Sequence, residues 1–188
     1  MVEIITNLPV WQSIRILGIT AYILLFFGVS LGMLYSMPIW KGKAKATLYK
    51  VHSYATITGT FSAILHAMLL IVDTYMPFSW KEVLVPFAAE NDPLWNGLGS
   101  LALYGTLVII LTTDLRAKLN KTLWRIIHIG SYPTFVMAMI HGIEVGSDSQ
   151  SPLMYLLYVS TFGILLVLLI VRMVIGRKKA GAYLADRG

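Results

Sequence analysis

Cysteine is absent from this 188-residue chain, and charge is scarce. The first absence excludes disulfides, thiolate metal sites, cysteine-held clusters and covalently attached c-type haem. The second excludes a surface built for water: only 13% of the residues are Asp, Glu, Lys or Arg, against an ordinary share of about 25%. With 57% of the residues hydrophobic, a soluble globule of this size would expose large adhesive patches, and a disordered chain does not have this composition. The solvent is lipid.

Five windows hold no Lys, Arg, Asp or Glu: 16–40, 51–72, 93–113, 126–143 and 149–171. A helix rises about 1.5 Å per residue and needs roughly 20 apolar residues to cross a hydrocarbon core of ~30 Å. Each window is about that long, whereas membrane strands are alternating runs of about 9–11 residues. The expectation is an all-α integral membrane protein, a single domain of five transmembrane helices at about 14–37, 47–72, 94–113, 122–143 and 152–175.

The few charges give these helices a direction. Segments 41–50, 114–125 and 172–188 share one side and hold 13 of the 15 basic residues, leaving Arg15 and Lys81 opposite. The positive-inside rule then puts the N-terminus outside and the C-terminus in the cytoplasm of a multi-pass protein of the cell membrane. The pI of about 9.6 therefore reflects topology and anionic lipid rather than nucleic acid. The N-terminal residues lack a basic n-region and a small-residue cleavage site, so helix 1 reads as an uncleaved anchor. The longest connection, 74–92, contains Ser79-Trp80-Lys81-Glu82 in capping-box form, with Trp80, Val83, Leu84 and Phe87 at one-face spacing and Pro86 able to kink or end such a helix. It reads as an interfacial segment at about 79–89, or as an aromatic loop anchored at the interface.

Ionisable residues inside a membrane are costly and ask for a reason. Apart from tyrosine, the windows contain only histidines: His52 and His66 in the second, His128 and His141 in the fourth. Both helices run from inside to outside, so His52 and His128 share a level near the cytoplasm and His66 and His141 share one near the outer face. The levels are separated by about 20 Å along the helices. Such a placement suits two stacked haems, each iron held by one imidazole from each helix. A zinc ion is a competing use of four histidines, but ligands about 20 Å apart cannot share one ion.

Angular phase constrains this further. Fourteen residues bring His66 back to the face of His52 within about 40°, whereas thirteen leave His141 roughly 140° from His128 in an ideal helix. A distortion is required, and Pro133 supplies a place for it. Gly59, midway between His52 and His66, either lets a flat macrocycle approach or serves ordinary helix packing. Arg125, one turn before His128, either meets a haem propionate or serves topology, as do nearby Lys50 and Lys121. Phe135 lies between the two levels, as filler between macrocycles or as plain packing.

Histidine pairs fourteen and thirteen residues apart on two helices, with Ile140-His141-Gly142-Ile143-Glu144 closing the second, resemble the ferric reductase-like transmembrane domain of NADPH oxidases and ferric-chelate reductases. The resemblance spans roughly 14–175. It implies two haem b groups, with iron ligands His52 and His128 at the inner level and His66 and His141 at the outer. The family core commonly has six helices, of which the first has no counterpart here. Its flavin and nicotinamide domains have none either, because only 172–188 follows the fifth helix and no Gly-rich dinucleotide fingerprint occurs. The expectation is the membrane electron-transfer subunit of an oxidoreductase, carrying electrons from a separate flavoprotein or quinol donor to an outside acceptor: ferric chelate, oxygen or a partner reductase. The competing readings are a quinone-linked cytochrome b subunit of a dehydrogenase complex and a non-redox transporter or assembly factor.

Overall fold

The structure is a computed structural model that describes residues 9–185, with side chains described through Ile175. Glu3, Arg187 and the side chains of Arg177, Lys178 and Lys179 lie outside the described residues. The elements are α1 Val10–Ser36, α2 Gly42–Val72, α3 Trp80–Leu84, α4 Pro93–Asp114, α5 Lys121–Ile129, α6 Ser131–Val145 and α7 Pro152–Ala185, with no strand among the described residues. With α5 and α6 taken as one path, five helices are long and apolar enough to cross a membrane. No more than 33% of any such window is buried, so most of their apolar surface faces outward, where only lipid can receive it.

Local chemistry places the helix ends. Pro38 forces Met37 into an extended conformation (ψ 139°), which stops α1. Pro93 opens α4 at a position where its missing N–H costs nothing. In lipid, hydroxyls fold back on their own helix: Thr106 Oγ1 donates to the Ala102 carbonyl at 2.8 Å and Thr112 Oγ1 to that of Val108 at 2.7 Å. The helix α2 starts five residues before the expected position, because a hydrogen-bond ladder needs no apolar side chains outside the membrane and runs on through Lys43 and Lys45.

The fourth crossing is broken rather than bent. Pro133 has no N–H and its ring collides with the carbonyl of residue 129, so α5 ends at Ile129 and α6 begins at Ser131. Gly130 joins them (φ −55°, ψ −14°), its N–H drawn into a tighter bond with the Ile127 carbonyl at 2.9 Å.

The interfacial segment forms as a shorter helix than 79–89. The capping box is made: Glu82 N–H donates to Ser79 Oγ at 3.3 Å while the Glu82 carboxylate accepts from the Ser79 N–H at 2.8 Å. The helix stops at Leu84 ahead of Pro86, and Ser100 Oγ of α4 donates to the Val83 carbonyl at 3.1 Å, tying the segment to the bundle. Hydrogen bonds from the Ser79 hydroxyl and N–H hold the exposed Glu82 carboxyl below its ordinary range. The cap is therefore complete above that range and is lost as the pH falls through the lowered value. Glu82→Ala should remove the reciprocal bond to the Ser79 N–H at neutral pH, seen as faster amide exchange confined to residues 79–90.

Helix α1 is the centre of the bundle. It lies along α2 and also meets α6 and α7. Tyr22 and Phe26 of α1 pack with Phe135 and Met139 of α6 and Met154 and Tyr158 of α7. Tyr22 stacks on Phe135 at 5.3 Å between ring centroids, and its hydroxyl meets Thr161 Oγ1 at 2.5 Å. Phe135, only 3% exposed, is thus a core residue of the α1–α6–α7 contact. Helix α4 packs chiefly on α6. The two helices bearing histidine pairs, α2 and α5–α6, are not a packed pair.

Candidate functional site

Connections 37–41 and 115–120 and the Arg172 region lie at one end of the bundle, the basic end; 73–92 and 146–151 lie at the other, the acidic end. Between α2 and α5–α6 the four histidines meet as two pairs. The ring centroids of His52 and His128 are 6.3 Å apart, with planes at 68°. Those of His66 and His141 are 6.4 Å apart, with planes at 78°. The break at Gly130 makes the second pairing possible, since an unbroken helix would turn His141 away from the face of His128.

A carbonyl of a neighbouring helix holds three of the four rings. His66 Nδ1 bonds to the Ile14 carbonyl at 2.9 Å, His52 Nδ1 to that of Gly28 at 2.7 Å and His141 Nδ1 to that of Trp95 at 3.0 Å. A carbonyl only accepts, so Nδ1 carries the proton in these rings and Nε2 keeps a free lone pair. One turn beyond each carbonyl stands a glycine against which the ring lies. A Cβ on Gly18 would stand 3.1 Å from His66 Nδ1, on Gly32 3.2 Å from His52 Cε1, and on Gly99 2.7 Å from His141 Nδ1. The seat is the same each time, a carbonyl at i and glycine at i+4. On α1 it recurs after fourteen residues, the spacing of the histidines it holds. Sequence reasoning missed these glycines, although the interval between Gly18 and Gly32 was a usable signal.

The fourth ring is held differently. His128 Nδ1 is buried with no hydrogen-bond partner among the described residues, and the ring lies against Trp124 at 5.1 Å and 28°.

Gly59 does not belong to this set. A Cβ there would stand 3.0 Å from Leu24 Cβ and 3.2 Å from the Leu25 nitrogen, so Gly59 serves the close approach of α1 and α2. Arg125 is exposed on α5, one turn before His128, and Lys50 is exposed with its ammonium 5.9 Å from the Tyr54 ring centre. Near the acidic-end pair a cavity of about 420 Å³ is lined by His66, His141, Gly18 and Gly99 and continues to Arg15 and Asp148. The Arg15 guanidinium donates two hydrogen bonds to the Asp148 carboxylate, joining α1 to the α6–α7 connection.

Family models, curated proteins and solved structures give no match to this chain. No third His, Asp or Glu joins either pair among the described residues. A bare zinc ion takes about four ligands, two more than a pair supplies. A haem iron takes its equatorial ligands from the macrocycle and needs only two axial ones. Two metal–nitrogen bonds of about 2.0 Å, with the half-widths of both rings added, separate imidazole centres by about 6 Å, as both pairs are separated. The residues present fit haem at both levels.

Proposed function

We propose that this chain is a bis-haem b-type membrane cytochrome of the ferric reductase-like transmembrane class, carrying electrons across the cell membrane from a cytoplasmic flavoprotein or quinol donor to an acceptor outside. The observation that carries the reading is the geometry of the two histidine pairs: ring centres 6.3 and 6.4 Å apart between two helices that do not pack on each other. Haem bound at each level supplies a one-electron carrier.

The protein's own contribution is ligation, orientation and field. His52 with His128, and His66 with His141, would hold the two groups through Nε2. The carbonyls of Gly28, Ile14 and Trp95 fix the tautomer of three ligands and increase their donor strength. Pairing across two unpacked helices leaves room for a flat group while α1 braces His52 and His66, and α4 braces His141, from behind. The basic end faces the cytoplasm by the positive-inside rule, and Arg125, Lys50 and Lys121 there are the cations that would meet propionates. Beside the acidic-end cavity the one Lys or Arg side chain among the described residues, Arg15, is paired with Asp148.

Protein purified after expression with ample haem should show a Soret band, about two haems per chain and two reductive steps in a spectroscopic redox titration. Colourless protein under those conditions overturns the reading.

A further inference from the structure

Helix α4 repeats the spacing of the His141 seat one step nearer the basic end, but with a side chain where that seat has glycine. At the acidic end the elements are the Trp95 carbonyl and Gly99. Fourteen residues further along α4 the same two positions are Ile109 and Thr113. Thr113 carries a side chain where the seat has none, and its Oγ1 donates to the Ile109 carbonyl at 2.7 Å. The same Oγ1 accepts from Trp124 Nε1 at 3.4 Å, and Trp124 is the ring stacked on His128. Of the two histidines at this level, His128 is the one whose Nδ1 is buried without a partner among the described residues.

We propose that Thr113 is a positioning residue that keeps His128 from becoming a hydrogen-bonded ligand, and thereby sets the His52–His128 level at a higher reduction potential than the His66–His141 level. The inference rests on the haem reading above. An Nδ1–H bonded to a carbonyl makes Nε2 a stronger donor, and a stronger axial donor favours the oxidised metal. Both ligands at the acidic-end level receive this support and only one at the basic-end level does. Local charge works in the same direction. Lys50, Lys121, Arg125 and Arg172 gather near the basic end, where positive charge favours the reduced form, while Asp73, Glu82, Asp92 and Glu144, with the Arg15–Asp148 ion pair, border the cavity at the other. Outward transfer thus runs against the site potentials and is drawn by the membrane potential and the acceptor.

The test is a spectroscopic redox titration of the haem-loaded protein. Two midpoints are expected, with His52→Ala abolishing the higher. Thr113→Gly empties the seat and frees the Ile109 carbonyl, so the higher midpoint should fall toward the lower one, which stays in place. Thr113→Ala frees the carbonyl while leaving a Cβ, and should give a smaller shift of the same sign. Thr113→Ser retains the hydroxyl and should leave both midpoints unmoved. The proposal is overturned if His52→Ala removes the lower midpoint, or if glycine and alanine at 113 leave the higher one unchanged. Protein that binds no haem is a separate outcome: it removes the reading on which the proposal stands.

Discussion

Alanine at His66 is expected to remove one of two haems and spare the other. The His66 ring is one of only two histidines at the acidic-end level, and its partner His141 lies 6.4 Å away between ring centres. No other His, Asp or Glu is grouped with the pair to take its place among the described residues. The His52–His128 level is fourteen residues away on α2, about 21 Å along the helix, beyond the range over which substitutions usually couple. Haem per chain should therefore fall by about half. The spectrum that remains should titrate as a single component, the one that His52→Ala destroys. Haemochrome analysis against protein concentration measures the first quantity and potentiometry the second. Retention of both haems, or loss of both, would refute the pairing.

That experiment was foreseeable from the sequence because the features behind it are imposed by lipid. A crossing must be long and free of charge, so its position is visible in the gaps between Arg15, Lys41, Lys50, Asp73 and the other charged residues. A histidine stands out inside such a gap, and the spacing of His52 and His66 fixes which levels can meet. The need for a distortion was likewise visible in the thirteen-residue interval on the fourth crossing. Its form was not. Proline acts on the carbonyl four residues earlier, so the break falls at Gly130 rather than at Pro133. The start of α2 at Gly42 was hidden because charge marks where lipid ends and says nothing of where a helix ends. The seats were hidden for a deeper reason. Ile14, Gly28 and Trp95 act through carbonyls that every residue has, and Gly18, Gly32 and Gly99 act by lacking a side chain. Gly59 shows the converse error: midway between two ligands in sequence, it is committed to Leu24 and Leu25 of α1.

Those silent glycines carry the second large effect. A Cβ at Gly99 would stand 2.7 Å from His141 Nδ1 and 2.8 Å from Cε1, closer than side-chain carbons approach other atoms. The colliding atoms belong to a ring already fixed by the Trp95 carbonyl at 3.0 Å, so relief requires breaking that hydrogen bond or moving α4 away from α6. Either motion displaces the ligand nitrogen. Loss of such a supporting contact typically weakens metal binding by about 10–100-fold. Gly99→Ala should therefore weaken haem binding at the acidic-end level by that order, measured by titrating haem into apoprotein, with the other level unaltered. Gly18→Ala meets the His66 ring at 3.1 Å and Gly32→Ala the His52 ring at 3.2 Å, so smaller losses are expected, the second at the opposite level. Gly163, where a Cβ meets nothing within 4 Å, provides the control for a general effect of glycine replacement in a membrane helix. If all four variants bind haem alike, the rings are not held by these seats. Weakening graded from Gly99 through Gly18, with Gly32 acting on the other level, would show that small residues on α1 and α4 aim the ligands borne by α2 and α6.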